Sequence, residues 1–412
     1  MKLLLFHMRY KPDATGTAPL VTQLAEDLVS YGVDVTVVAS LPHYGKNVLH
    51  EDFEEHKGSF STAVENGVKV VRTPVYIPRS KRIIQRAMNY LSYNINSVLA
   101  GLRERPADII LAINPPITTS FSAWLTSLLL GAPLVIGIQD VWPDCIIEVG
   151  AIRSKLLIGV MRGMELLQYR IARKIIVLSE GMKANLINKG VSERKIQVIP
   201  NWADPEEVKP VKNYDRFIQA HKLEDRFIVL FSGNHGYIAA LDTVLEAANI
   251  LKGQERILFV LAGEGNVKAD LISLAAQLEL TNVLFLPTQS EENWLEMLSA
   301  CDLGLVTLRA DLAGLNVPSK TYTLMSAACP ILASVPENSE IARIIHLSRA
   351  GIISKPENAR DMAARILEMS KDPHGLEEYG RNGREYLRKH INRKGQTDLY
   401  HRVMQSAIDK EK

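Results

Sequence analysis

The sequence predicts an α/β protein of two successive units, each a parallel sheet with helices on both faces. Three observations lead there. Short β-branched and apolar runs alternate with stretches of helical periodicity along nearly the whole chain, the pattern of parallel sheets. The alternation falls into two series of similar length, parted at Pro200-Asn201-Trp202-Ala203-Asp204-Pro205. A length of 412 residues also exceeds a single domain at roughly 100–200 residues each.

In the first series, Lys2–His7 is an apolar run, Leu20–Tyr31 has helical periodicity and Val33–Ala39 reads as a strand bounded by Gly32 and Ser40. Further strands are expected near Val68–Arg72, Asp108–Ile113, Leu134–Ile138, Lys174–Leu178 and Ile196–Ile199. Ile109 to Gln139 carries no charged side chain, but Asn114-Pro115-Pro116 and Gly131-Ala132-Pro133 cut it into pieces. A membrane span needs about 20 predominantly apolar residues, so strand, helix, strand is the better reading. In the second series the expected strands are Phe227–Phe231, Ile257–Leu261, Val283–Phe285, Leu303–Val306 and Ile331–Ala333. Helices are expected between them at Leu241–Leu251, Val267–Leu278, Glu291–Ala300 and Lys320–Ala328. Asn358–Ile408 is helical in pattern, with breaks at Asp372-Pro373 and near Asn392, and its end is expected to pack back on the first half. The expected domains are 1–205, 206–390 and a returning helix at 391–412.

Composition narrows the function. Hydrophobic residues are 47% and charged residues 23%, ordinary for a globular chain. With 48 basic against 46 acidic side chains, nothing points to bulk nucleic-acid binding. Cys145, Cys301 and Cys329 are scattered and form no CxxC pair, so neither a disulfide framework nor a zinc site is expected. The start of the chain shows no secretory signal, because His7, Arg9 and Lys11 follow at once on a four-residue apolar run, Leu3–Phe6. The expected setting is cytoplasmic.

In open α/β sheets, ligands bind beyond the carboxyl ends of the strands. After the first strand, Gly16 stands directly before a helix, where backbone can approach an anion; an ordinary turn glycine is the plainer alternative. After Leu134–Ile138 come Gln139-Asp140-Val141-Trp142-Pro143-Asp144. Asp140 there can accept a proton from a hydroxyl or orient it, or it can simply cap a helix. In the second half, Ser232-Gly233-Asn234-His235-Gly236 and Ala262-Gly263-Glu264-Gly265-Asn266 read as anion-binding or close-approach loops. In Asn316-Val317-Pro318-Ser319-Lys320, Pro318 reads as a first-turn proline, with Ser319 and Lys320 in the same turn. A lysine there opposes the helix dipole, and a bound diphosphate would compensate it; the alternative is a solvated side chain. The chain has no D-x-D pair, no cluster with metal-ligand spacing and no GxxxxGK[ST] loop. No metal or other cofactor is expected.

These ordered strand-end motifs resemble the retaining glycosyltransferases of family four, which have the two-Rossmann GT-B fold. They resemble in particular the branch making colanic-acid-type and fucosamine-type exopolysaccharides and O-antigens. Tyr10-Lys11-Pro12-Asp13-Ala14-Thr15-Gly16 is similar to its Y-x-P-E-x-T-G opening, and Gln139-Asp140-Val141-Trp142-Pro143-Asp144 to its Q-D-L-W-P-E. Phe231–Gly236, Ala262–Gly265 and Val317–Lys320 match its second half. The resemblance implies a GT-B fold whose C-terminal helices pack back toward the N-terminal domain. It implies that Gly16, Gly233, Asn234, Ser319 and Lys320 serve the donor diphosphate, and that Leu315, Asn316 and Val317 line the donor sugar. It further places Glu264, Thr288 and Thr323 at the nucleoside and Asp140 at the acceptor hydroxyl. Where much of the family has the two glutamates of E-x7-E, this chain has Leu315 and Thr323. Where the family often has a diphosphate-binding Arg and Lys, it has Asn234 and Ala240.

The implied activity is metal-independent, retaining transfer of a hexose from a nucleotide-diphosphate sugar to a lipid-linked saccharide. UDP-glucose or a UDP-N-acetylhexosamine is the expected donor. A nucleotide-sugar 2-epimerase, or a non-catalytic nucleotide-sugar-binding protein, stays open beside it. Residues 79–105 and 153–174 interleave basic and apolar side chains, with Glu104 and Glu165 as their only acids. That suits a peripheral helix at a membrane's inner face, or an ordinary amphipathic helix with a basic outer side.

Overall fold

The computed structural model describes residues 1–13, 16–43, 49–78, 83–144, 147, 154–208, 210, 215–310 and 317–409. It divides into two compact units, Met1–Pro200 with Arg393–Lys412, and Asn201–Asn392.

The first unit runs β1 (Lys2–Phe6), α1 (Ala18–Ser30), β2 (Asp34–Ser40), β3 (Ser61–Glu65), β4 (Val68–Thr73), α2 (Ile83–Arg103) and β5 (Ile109–Ile113). It continues with α3 (Thr119–Leu130), β6 (Leu134–Ile138), α4 (Lys155–Ile171), β7 (Lys174–Val177), α5 (Glu180–Asn188) and β8 (Ile196–Val198). The strands form one sheet in the order β3-β4-β2-β1-β5-β6-β7-β8. β1 is central and pairs in parallel with both β2 (Leu3↔Val35) and β5 (Leu3↔Ile109). Its Leu3, Leu4, Leu5 and Phe6 are all buried, as expected of a strand covered on both faces. From β1 the chain winds outward through β2, and from β5 it winds the other way through β6 and β7. Right-handed crossovers therefore put α1 on one face and α3 and α4 on the other. α2 packs on α3, and α3 on α4.

The second unit runs α6 (Asp215–His221), β9 (Phe227–Ser232), α7 (Leu241–Ile250), β10 (Ile257–Ala262), α8 (Lys268–Gln277), β11 (Val283–Leu286), α9 (Glu291–Ser299) and β12 (Leu303–Thr307). It closes with α10 (Lys320–Ser326), β13 (Ile331–Ser334), α11 (Glu340–Ser348), β14 (Gly351–Ser354), α12 (Ala359–Met369) and α13 (Pro373–His390). Its sheet is wholly parallel, in the order β11-β10-β9-β12-β13-β14. Phe231, Phe259, Leu261 and Leu305 meet Val244, Ala248, Met362 and Ile366 of α7 and α12 in one core.

α14 (Arg393–Ile408) belongs to the first unit and packs on α1. Arg393 grips Asp27 of α1 through hydrogen bonds that include Nη2–Oδ1 at 2.7 Å, Nε–Oδ2 at 2.9 Å and Nε–Oδ1 at 3.1 Å. His401 stacks on Tyr31 at 5.5 Å. The two-Rossmann fold with a returning C-terminal helix, expected from the resemblance, is the observed one.

Three details differ from the sequence reading. β3 is an added antiparallel strand, paired with β4 through an Asn66-Gly67 turn whose residues have φ of 50° and 80°. Both positive angles suit a two-residue hairpin turn. The exposed and mostly polar β3 carries no apolar run to announce it. β14 is four residues long, too short for periodicity to show. Pro318 precedes the helix rather than entering its first turn: Ser319 is the N-cap and Lys320 the first helical residue.

Candidate active site

In the second unit, two glycine loops interlock at the ends of β9 and β10. Gly233 donates its N–H to Ala262 O at 2.9 Å, and His235 donates to Glu264 O at 2.9 Å. No side chain fits between them. A Cβ on Gly263 would stand 1.9 Å from Gly233 O, and one on Gly265 would stand 2.1 Å from His235 O. The φ angles of Gly233 and Gly263, 147° and 142°, are also open mainly to glycine. Lys268 seals the joint from below: Nζ donates to Gly263 O (2.8 Å), Leu286 O (3.1 Å) and Glu264 Oε1 (2.8 Å).

Against this frame lies Lys320. Its Nζ sits 3.4 Å from the centre of the Phe231 ring, at the end of β9. Among the described residues it makes neither ion pair nor hydrogen bond. Burial lowers its pKa from the usual 10.5 to about 7. The ring face is attractive to a cation but is a weak substitute for an anion. The same Nζ lies 3.1 Å from where a Cβ on Gly233 would be. Gly233 thus serves by leaving room for the ammonium; its N–H, which sequence reasoning offered to an anion, is already spent on Ala262.

His235 follows in the same loop, buried between Phe231 and Phe285 at 5.9 and 6.5 Å. Neither ring nitrogen has a hydrogen-bond partner among the described residues. Burial, with Lys268 and Lys320 nearby, lowers its pKa to about 4, so it is neutral at pH 7.

The other expected residues of this unit fall around the same rim. Asn234 is exposed at the loop tip, and Glu264 is exposed and paired with Lys268. Thr288 is exposed two residues past β11. Ser319 is exposed at the N-cap of α10, Val317 is buried before it, and Thr323 is half-buried one turn on. Leu315 and Asn316 lie outside the described residues. Ala240, which the resemblance matches to a family lysine, adopts φ 45° at the start of α7. Arg309 fastens that turn to β12 through Asp242 (2.8 Å), Glu357 (2.8 Å) and the Tyr237 carbonyl (3.2 Å).

In the first unit, Gly16 has φ 66° just before α1. A Cβ there would stand 3.2 Å from Arg9 Nη1, which puts a guanidinium beside the helix start. His7, at the end of β1, is buried. Its Nδ1 lies 2.8 Å from Ile113 O and its Nε2 2.8 Å from Thr17 Oγ1. The carbonyl can only accept, so Nδ1 carries the proton and Nε2 accepts from the Thr17 hydroxyl. Burial lowers the His7 pKa to about 4, which keeps that tautomer neutral.

Asp140 is half-buried two residues past β6. Asp144 is engaged elsewhere: its Oδ2 accepts from Lys189 Nζ at 2.6 Å and from Asn185 Nδ2 at 3.3 Å. Lys189 also reaches Glu165 at 2.5 Å, and Tyr169 OH donates to Glu165 at 2.8 Å. This network ties the segment after β6 to α4 and α5. The sequence pointed to Asp140 and the two loops. It did not single out Lys268, His7, Arg9 or Phe231, although Lys268 follows Glu264 at the i,i+4 spacing of a helical ion pair.

Two α/β units of this topology have the GT-B architecture of glycosyltransferases. Family patterns agree: residues 15–202 match the Glycosyl transferase 4-like domain, and residues 210–386 match Glycosyl transferases group 1. The chain belongs to the glycosyltransferases that join these two domains. It is 25% identical over 382 residues to WcaI of Escherichia coli K12, named as a colanic acid biosynthesis glycosyl transferase, covering 89% of this chain and 91% of that one. It is 29% identical over 278 residues to the glycosyltransferase WbjE of Pseudomonas aeruginosa, covering 66% and 68%. The fold is shared with Anabaena Alr3699/HepE, solved with UDP and glucose, at a TM-score of 0.74 and 15% identity over 98% of this chain and 100% of that one.

Gly233→Ala tests the packing. The added methyl would press on Lys320 Nζ and demand a strained φ. UDP affinity should fall by about tenfold or more, a loss of about 1.4 kcal/mol, with unchanged far-ultraviolet circular dichroism. Unchanged affinity would mean that the space beneath the loop is not used.

Proposed function

We propose that this glycosyltransferase moves a hexose from a UDP-sugar, UDP-glucose or a UDP-N-acetylhexosamine, to a lipid-linked saccharide in exopolysaccharide or O-antigen synthesis, with retention of anomeric configuration. The observation that carries the donor half is Lys320. Among the described residues its ammonium has no counterion, and the strand-end loops around it leave room for close approach. A diphosphate supplies the missing anion. As the glycosidic bond breaks, charge grows on the leaving phosphate, so the same ammonium stabilises the transition state more than the ground state. Ser319 and Asn234 assist at the diphosphate, and Gly16 lets the start of α1 approach an anion with Arg9 beside it. Leu315, Asn316 and Val317 are assigned to the sugar, and Glu264, Thr288 and Thr323 to the nucleoside.

Asp140 is the residue proposed to orient the acceptor hydroxyl. The leaving phosphate can take the acceptor's proton on the same face, which lowers the demand on a protein base where Leu315 and Thr323 replace carboxylates. No divalent ion is required in this reading, since Lys320 and backbone dipoles neutralise the diphosphate. Exopolysaccharide chemistry is supported by the name of the WcaI relative. UDP is supported by the ligand named with HepE. The acceptor is taken to sit at the inner face of a membrane, with the chain cytoplasmic and peripheral. No helix among the described residues is long and apolar enough to cross a membrane.

Lys320→Ala should weaken UDP binding by about ten- to hundredfold, because charge-assisted hydrogen bonds contribute roughly 1.5–3 kcal/mol. Uridine, which lacks phosphate, should be nearly unaffected. Calorimetry on both ligands, with and without EDTA, decides. Equal losses for UDP and uridine would mean damage to the fold or base pocket, and dependence on a divalent ion would refute the metal-free reading.

Asp140→Asn should lower turnover far more than donor affinity. Turnover is best read as UDP released on addition of lipid-linked saccharide extract. Conversion of the donor to an epimeric nucleotide sugar without acceptor would favour an epimerase, and donor binding with neither product would favour a non-catalytic binder. A loss of donor affinity with normal turnover at saturation would reverse the assignment of Asp140.

A further inference from the structure

Surface helices of globular proteins turn their apolar stripe to the core. α1 does so, burying Val21, Leu24, Ala25 and Leu28. The three helices on the opposite face of the same sheet do the reverse. α2 buries Asn89, Tyr93, Ser97 and Ala100, and exposes Ile84, Met88, Leu91, Ile95 and Leu99. That spacing is a single stripe along one side of a helix. α3 buries Thr119, Ser120, Ser122 and Thr126 and exposes Leu125, Leu128 and Leu129. α4 buries Glu165, Gln168 and Tyr169, while Leu156 is 81% exposed and Leu157 and Val160 lie open beside it.

The inversion is stable because most of the inward polar groups are satisfied, the Thr119 hydroxyl being an exception among the described residues. Asn89 donates to Tyr76 O at 2.6 Å, Tyr93 OH to Val38 O at 2.9 Å, and Asn114 to Gln168 Oε1 at 2.9 Å. Glu165 is held by Lys189 and Tyr169. Apolar surface spread over three adjoining helices is more than the scattered single residues normal for a protein surface.

Charge identifies the occupant. Across 83–105, 119–130 and 154–174 the only carboxylates are Glu104 and Glu165. Both are engaged inward, by Lys69 at 2.5 Å and by Lys189 at 2.5 Å. Arg86, Lys155, Arg162 and Arg170 are exposed on the same helices, and Arg105 is exposed just past α2. An apolar surface fringed only by cations matches an anionic bilayer, whose headgroups meet the bases and whose acyl region takes the leucines.

We propose that α2, α3 and α4 form a membrane-docking face that inserts its apolar stripes into an anionic lipid surface. This deepens the peripheral contact proposed above and rests on that reading. The basic residues then orient and recruit, and the apolar stripes hold. Arg82, read from sequence as part of the basic side, lies outside the described residues.

The test is co-sedimentation of the full chain with phosphatidylcholine vesicles, with and without phosphatidylglycerol. The wild-type chain should bind the anionic vesicles, and added salt should weaken binding without abolishing it. Replacing Leu91, Ile95, Leu128 and Leu157 together by Gln should lower partitioning by about tenfold or more, since the variant removes apolar groups that would enter the acyl region. Arg86→Gln with Arg162→Gln should reduce binding mainly at low salt. UDP binding should be unchanged in both. Should the fourfold variant lose UDP binding, Ile95→Glu alone repeats the test. Undiminished partitioning of the apolar variant would overturn the proposal. So would a wild-type dimer that ignores vesicles and that the variant dissociates, since the face would then join two copies. UDP binding without vesicle binding sinks only this inference; absence of UDP binding in the wild type sinks the donor reading instead.

Discussion

An ammonium group held over an aromatic ring, with no anion beside it among the described residues, is the constraint around which the second unit's strand ends are arranged. Lys320 is held over Phe231 rather than beside a carboxylate. A buried charge is costly unless paired, and a lysine so placed lowers its pKa. The loops around it leave no slack to relieve the cost. Gly263 lies so close to the Gly233 carbonyl that it cannot carry a side chain, a Cβ on Gly233 would press on Lys320 itself, and Lys268 clamps the Gly263 and Leu286 carbonyls. What would be a defect in a purely structural protein is the state expected of a site completed by a diphosphate.

The first unit distributes its polarity differently. At the carboxyl edge of its sheet, neutral His7 fixes the Thr17 hydroxyl, and Gly16 keeps space beside Arg9. After β6, Lys189 gathers Asp144 and Glu165 and so restrains the segment that carries Asp140. That hub also satisfies the polar side of α4, which leaves the helix's apolar side to face outward. The acceptor-side assignment and the docking face therefore share one internal network.

Strand ends, glycine loops and the terminal helices were legible in the sequence because each rests on local pattern: β-branched runs, Gly-x-Gly spacing and the Asp372-Pro373 break. Lys320 was legible as a residue in an unfavourable place, but its desolvation was not, since Phe231 lies far away in the chain. Gly233 read as an amide donor because sequence cannot show that Ala262 already accepts its N–H. For α2 and α4, periodicity disclosed two faces without saying which was inward. The partners that make burial of Asn89 and Glu165 tolerable, Tyr76 and Lys189, belong to other segments. β3 escaped because its residues are exposed and only the Asn66-Gly67 turn marks it.

The central claim is that Lys320 is an ammonium poised for an anion, and its protonation can be followed directly. In a chain labelled with ¹³C at lysine Cε, one resonance, absent from Lys320→Met, should titrate near pH 7. Its folded value lies below the usual 10.5, so the free site sheds its proton on rising through about pH 7. Saturating UDP-glucose, whose diphosphate does not titrate near neutrality, should move that midpoint upward by more than a unit, because an adjacent anion favours the charged form. A Lys320 signal that titrates near 10.5 in the free chain, or that does not move with UDP-glucose, would contradict the account.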